Sequence, residues 1–499
     1  MFKKYKLLLL LILVNAMLIM SCTKQLDTNL SNPNGVSIST LSGKDIFAQA
    51  LLATVTMKVG ADFYDYAAQW MQYYARNIGW AQSGAQFQME TFTLNNSFAN
   101  PIWAGLYHNI YDYNFIIAHS TANSILPGAA KVMRVMVMQD LVDQFGNVPY
   151  SQAAQPDASI TPAYDSAEAI YKDLIIQLDS AISSISASQS TADDASDIMF
   201  NGNKSIWLQF ANTIKLRILL RQVPNTGNTA YVTTELGKII SQGNGFLSVG
   251  QDASINPGFA DASFQQSPFW GVYGFQPNHT APYQNYNFFC ANSYMVALLD
   301  SINDPRLGYF YGLNSENGYS GEPFGSNPNP ITSPFGHGLL QSPQMPALLV
   351  SASQSLFMQA EAIQRGLMSG NYAALYQQAV EESFRFLTVP NYVSAADNYI
   401  ANSTNPNVNI SISGNPLQTI LYQKWISECG MDGLEAWNDY KRTGIPNISN
   451  ASASAPGSPI PNRLLYPQSE YSQNPANVNK QNQASQGQAA MNIPIFWQQ

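Results

Sequence analysis

Residues 129–145 constrain the fold of this chain more than any other stretch. At helical spacing, Val132, Met133, Val135, Met136, Val137, Met138, Leu141 and Val142 place apolar side chains all around one cylinder. A helix apolar on every side cannot face water and has to be enclosed by other elements. The turn Gly146-Asn147-Val148-Pro149 ends it. Enclosing helices are in the sequence. Residues 101–119 carry Trp103, Leu106, Tyr107, Ile110 and Tyr111 on one face, and Lys204 to Arg221 carry Trp207, Phe210, Ala211, Ile214 and Ile218. Between them, Asp165-Ser166-Ala167-Glu168 reads as a capping box, with Asp165 accepting from the first-turn amides. It opens a helix whose apolar face holds Ile170, Leu174, Leu178 and Ile182.

Helical patterns return over 347–367 and 371–387, joined by Ser369-Gly370-Asn371 as a helical hairpin. Pairs of this size predict a mostly α fold of tetratricopeptide-like helix pairs, about 101–221 and 347–444, although no strict repeat consensus is visible. The stretch from 243 to 346 is different. It is rich in Gly, Pro, Asn, Ser and aromatic residues, its periodicity fades, and loops of that length in a folded domain are commonly functional. It is expected to face ligand. The last residues, 449–499, are expected to wrap the surface.

The N-terminus supplies an address. Lys3, Lys4 and Lys6 precede an apolar run from Leu7 to Met20 that is interrupted only by Asn15, and the run closes at Ser21-Cys22. That core is too short for a bilayer span and reads as an export signal. A small residue directly before cysteine is the pattern of a bacterial lipoprotein signal, although Met20 departs mildly from it. The reading is therefore a signal peptide over 1–21, lipidation at Cys22, a polar tether over 22–39 and one domain over 40–499. An ordinary secretory signal with an incidental cysteine is the plainer alternative.

Charged residues make up 11% of the chain, against ~25% in ordinary soluble domains. The formal net charge is -9, with no basic block, which argues against nucleic acid as a partner. Polarity comes instead from Asn, Gln, Ser and Tyr, which suit neutral polar ligands. Cys290 and Cys429 could form at most one bridge and read better as two separate buried thiols. The histidines His108, His119, His279 and His337 lack metal-ligand spacing, so neither a metal nor a cofactor is expected.

Several segments in order resemble the SusD/RagB family of Bacteroidota outer-membrane lipoproteins, in particular its SusD-like branch. The resemblance is carried by Cys22 and Asn32-Pro33-Asn34, by Asp140 to Tyr150, and by Trp207 to Asn212 up to Leu216-Arg217. It continues in Asp304-Pro305-Arg306-Leu307, in Phe357 to Ala362 before Arg365-Gly366, and in Gln423-Lys424-Trp425-Ile426. Glu435-Ala436-Trp437, Arg442-Thr443-Gly444 and Asn462 to Pro467, with Glu470 and Asn474, complete it. The resemblance implies helix pairs supporting an irregular half. It also implies a lid on the extracellular side of a SusC-like, TonB-dependent outer-membrane transporter, capturing oligosaccharides without catalysis. A peptide-capturing relative, a surface glycoside hydrolase and a helical scaffold without a small ligand are the alternatives.

Sugar capture needs flat aromatic faces for pyranose C–H groups and amides or hydroxyls for the sugar hydroxyls. The candidates for ligand contact are Trp80, Trp270, Tyr273, Phe275, Tyr283, Tyr286 and Arg76, with Trp80 and Trp270 foremost because each sits beside Gly or polar loop residues. Phe269, Phe288 and Phe289 lie in the same cluster, with Asn278, Gln284, Asn285 and Asn287 interleaved. The plain alternative is that such rings close an irregular core. Trp103, Trp207, Trp425 and Trp437 fall within helical patterns and are assigned to the core. Carboxylate spacings (Asp432 and Glu435, Asp300 and Asp304, Glu381 and Glu382) do not by themselves make a glycosidase pair. No nucleophile elbow or phosphate loop is present, and no catalytic residue is assigned.

Overall fold

The computed structural model describes residues 40–499 except 60–63, 155–158, 190, 225, 328–330, 449–450 and 499. Cys22, the signal segment and the tether lie outside the described residues. Gly43–Gln499 fold together as one unit.

The chain opens with helices α1 (Gly43–Val59) and α2 (Asp65–Trp70), strand β1 (Tyr74–Arg76) and helix α3 (Gly84–Thr91). Next come α4 (Asn100–His119) and α5 (Leu126–Phe145), the short strands β2 (Val148–Pro149) and β3 (Tyr164–Asp165), then α6 (Ala167–Ala187) and α7 (Lys204–Arg221). The enclosed helix is as the sequence requires. All but three residues of α5 are buried, with α4 and α6 packed along it. Pro127 begins it, where the missing N–H costs nothing. Gly146 ends it at φ 77°, and the Arg463 guanidinium lies where a Cβ would stand. The cap of α6 is Ser166, whose hydroxyl accepts from the Ala169 amide. Asp165 instead accepts from the amides of Tyr150 and Ser151 and so ties the β2–β3 turn.

Helix α8 (Thr229–Gln242) leads into the low-periodicity region, which holds β4 (Ala253–Ile255), α9 (Pro268–Tyr273), α10 (Gln284–Phe288), β5 (Phe289–Ala291), α11 (Ser293–Ser301) and α12 (Leu307–Phe310). Residues 347–350 are not helical. They form β6 (Ala347–Val350), antiparallel to β4, because a short buried apolar run serves a strand as well as a helix. Then come α13 (Ala352–Gln364), α14 (Tyr372–Phe386), α15 (Tyr392–Asn402), α16 (Pro416–Ser427) and α17 (Gly433–Thr443). Helices α13 and α14 form the expected hairpin, capped by Asn371, whose side chain accepts from the amides of Ala373 and Ala374. The architecture is therefore mostly α, with successive helix pairs packed against a loop-rich half.

The C-terminal segment does more than wrap the surface. Leu464, Ile495 and Trp497 are fully buried, and the Trp497 indole donates to Asp143 on α5. Trp103, Trp207, Trp425 and Trp437 are all core residues. Cys290 and Cys429 are both buried and free, and burial pushes each thiol up to about 12. No helix among the described residues is long and apolar enough to cross a membrane.

Candidate binding surface

β1 and β5 pair antiparallel, with Arg76 opposite Phe289 and Tyr74 opposite Ala291. This pairing brings the loop after β1 alongside α10. The Asn77 amide donates to the Phe288 carbonyl at 2.7 Å. The Trp80 indole N–H donates to the Asn287 carbonyl at 3.0 Å, and the Trp80 ring leans on Phe288 with centroids 5.5 Å apart. Trp80 stays partly exposed.

Arg76 is buried and does not present its charge outward. Its Nε pairs with Glu90 at 3.1 Å, and its other nitrogens donate to the carbonyls of Trp80 and Ser326. Glu90 also accepts from Gln82 and Gln86. As a ligand contact Arg76 is displaced by its own partners. It fixes the loop that carries Trp80.

On the other side of α10, Phe275 packs against Tyr286 at 4.7 Å and stacks nearly parallel on His279 at 5.4 Å. The hairpin carrying Phe275 and His279 is held by a bridge between Phe275 and Pro282. Asn278 and His279 turn it in the left-handed region, at φ 58° and 53°. The Tyr283 hydroxyl donates to Gln266, which in turn donates to Asp261 and the Phe275 carbonyl. Phe275, Tyr283 and Tyr286 are half-buried.

Trp270 and Tyr273 are different. Trp270 is 4% exposed and Tyr273 2%. The Trp270 indole donates to the Phe275 carbonyl, while Tyr273 packs among Phe269, Phe289 and Phe335. Both support the surface from beneath, and neither offers a ring face to solvent. Of the rings expected at a ligand, the fold leaves Trp80, Phe275, Tyr283 and Tyr286 outward and takes Trp270 and Tyr273 inward. His279, which has no metal spacing, joins the surface through its stack on Phe275. The turn-forming Pro277-Asn278 before it is the one sequence sign of that position.

The five-residue helix α10 thus carries aromatic groups toward both flanks, with Gln284, Asn285 and Asn287 between them. None of these amides makes a side-chain hydrogen bond among the described residues, and Gln284 and Asn287 are exposed. Burial raises the Tyr286 hydroxyl above its ordinary pKa, so it acts as a neutral donor and acceptor. The arrangement offers apolar ring faces bordered by neutral hydrogen-bonding groups.

The acidic residues with helical spacing are engaged elsewhere. Asp432 pairs with Lys58 at 2.9 Å and caps α17 through the Glu435 amide. Asp304 pairs with Arg306 at 2.6 Å, and Glu382 accepts from Arg385 at 2.7 Å. Glu428, Glu435 and Asp439 converge as three buried carboxylates with metal-like spacing. The Lys424 ammonium occupies their centre, at 2.7, 3.2 and 2.5 Å respectively. A protein cation already supplies the positive charge a metal would bring.

The chain matches, over residues 36–467, the SusD-like family described as starch-binding proteins associating with the outer membrane. Solved structures share the fold. A SusD/RagB family protein from Bacteroides thetaiotaomicron aligns with TM-score 0.73 and 22% identity, covering 92% of this chain and 99% of the other. A chitin-binding SusD homolog from Flavobacterium johnsoniae gives 0.72 and 20%, over 90% and 98%. A SusD homolog from Bacteroides uniformis gives 0.70 and 21%, over 91% and 99%. No curated protein sequence matches the chain. A family match over most of the length, on a fold of helix pairs against a loop-rich half, places this chain in the SusD-like family of outer-membrane-associated proteins.

Proposed function

We propose that this protein is a non-catalytic oligosaccharide receptor at the cell surface. It is held to the outer membrane through lipid on Cys22 and delivers its cargo to a SusC-like, TonB-dependent transporter. The observation that carries the reading is the ring-and-amide surface around α10. Trp80 with Phe288 and Phe275 with Tyr286 present apolar faces, and Gln284, Asn285 and Asn287 present free amides. Stacked C–H groups and bridged hydroxyls are the contacts a neutral pyranose offers, and no ionic group is needed. The family description as starch-binding and the chitin-binding relative support the same ligand class. The family resemblance supports the transporter partnership and an anchor on the outer face as parts of this proposal.

The test is a calorimetric titration of the detergent-solubilised full chain with maltoheptaose and chitohexaose, alongside Trp80→Ala. Wild-type binding that weakens about tenfold in the variant, at unchanged melting temperature, is the expected result. A titration identical in both proteins removes Trp80 from the site, and no heat with either sugar removes the ligand class. Cys22→Ser should abolish incorporation of labelled palmitate in cells.

A further inference from the structure

Two cavities of similar size open on the surface, and they differ in what their polar groups are already doing. One, of about 410 Å³, is lined by Asn114, Arg134, Tyr150, Asp173 and Gln177. Those groups satisfy one another. Arg134 donates to Asn114 and Gln177, and the Tyr150 hydroxyl donates to Asp173.

The other, of about 420 Å³, lies between the end of α11, the turn 302–305 and α15 with the residues after it. Its wall includes Asn303, Asn398, Asn402 and Thr404, and none of these side chains makes a hydrogen bond among the described residues. Asn398 and Asn402 are four apart on α15 and so share one face of the helix. No lining residue is charged. The apolar part of the lining comes from Pro305, Ile302 and the nearly buried Tyr399. The floor is rigid, because the Tyr399 hydroxyl donates to Asp304 at 2.9 Å, and Asp304 is locked to Arg306, which also donates to Gln423. The volume falls within the ~300–1,000 Å³ of small-molecule sites.

We propose that this cleft is a second saccharide site, separate in sequence and in secondary structure from the surface around α10, taking a neutral hydroxyl-rich ligand through the Asn303, Asn398, Asn402 and Thr404 side chains. An uncharged wall of free amides suits sugar hydroxyls and gives no counter-charge to an acidic or basic ligand. The proposal rests on the oligosaccharide reading and adds a second point of attachment to it. Two sites on one chain would hold a long polysaccharide with more avidity than either alone.

The experiment compares wild type, Trp80→Ala and the double variant Asn398→Ala/Asn402→Ala, each as the detergent-solubilised full chain, titrated with maltoheptaose and chitohexaose. Both asparagines are exposed on a helix, where alanine is the better helix former, so folding, followed by circular dichroism, is preserved. The expected result is two ligands per wild-type chain for at least one sugar. The asparagine variant should lose one of them, with affinity down at least tenfold, and retain the Trp80-dependent one. A single ligand that is lost in Trp80→Ala and unaffected in the asparagine variant overturns the second site and leaves the proposed function standing. A single ligand lost only in the asparagine variant establishes the cleft and displaces the α10 surface. No binding by wild type overturns both.

Discussion

At the scale of single residues, neighbours in sequence are a poor guide to exposure. Trp80 and Trp270 are both tryptophans beside Gly or polar loop residues, yet the fold treats them oppositely. Trp80 follows a turn after an edge strand and leans outward on Phe288. Trp270 sits in the short helix α9 that faces the core, and its N–H is taken up by the Phe275 carbonyl. Trp270→Ala is therefore expected to destabilise the fold by about 3–5 kcal/mol, in the range of large core deletions, read as a drop in the urea midpoint. Trp80→Ala should leave that midpoint nearly unchanged. Arg76 teaches the same lesson through charge. A cation between aromatic residues reads as a ligand contact until Glu90, fourteen residues on, is seen to pair with it, and that pairing depends on where α3 lands.

At the scale of elements, helices were legible wherever the apolar period ran long, as in α5 and α7, whose ends at Phe145 and Arg221 are those the sequence predicts. What periodicity hides is the charge between the helices. Helices α7, α13, α16 and α17 enclose Arg221, Lys424 and Arg442 with Glu361, Glu428, Glu435 and Asp439. Two members of this cluster should give pH dependences of opposite sign. Burial, partly opposed by the Lys424 ammonium, pushes the Glu428 carboxyl up to about 8. The folded chain keeps a proton there that the unfolded chain releases near its ordinary 4.5, so stability from this site declines as pH rises from about 4.5 through 8. Glu428→Gln imitates the protonated form. Its melting temperature should exceed wild type by about 2–4 °C at high pH, and thermal scans should show the gap closing at pH 5. Glu361 behaves in reverse. Although burial opposes it, the Arg442 guanidinium holds its carboxyl down at about 2, so its contribution is full above 4.5 and is lost as pH falls through 2. Glu361→Gln should cost about 3–5 kcal/mol at neutral pH, as expected when one partner of a buried pair is removed, and chemical denaturation at pH 7 measures it.

At the scale of the whole molecule, the helical half and the loop-rich half differed in how much could be read ahead. Spacing set the first, because burial of a helix face repeats every turn. The second is organised by pairings between distant segments, such as β4 with β6 and β1 with β5, which leave no local period. The C-terminal segment belongs to this class. Its Pro, Asn and Gln content reads as surface, but Trp497 plugs the core beside Asp143. Trp497→Ala is expected to lower stability by about 3–5 kcal/mol, measured by equilibrium unfolding.

The β1–β5 ladder has a practical consequence. It joins residues 74–76 to 289–291, so the rings around α10 face one another only in the folded chain, and an unfolded chain presents no such surface. A ligand held there binds the native state alone and raises its stability by mass action, by about 2.7 kcal/mol at a hundred times the dissociation constant. The melting temperature of the protein thus reports occupancy, and a heat-denaturation screen across a polysaccharide library tests for a bound saccharide without any label.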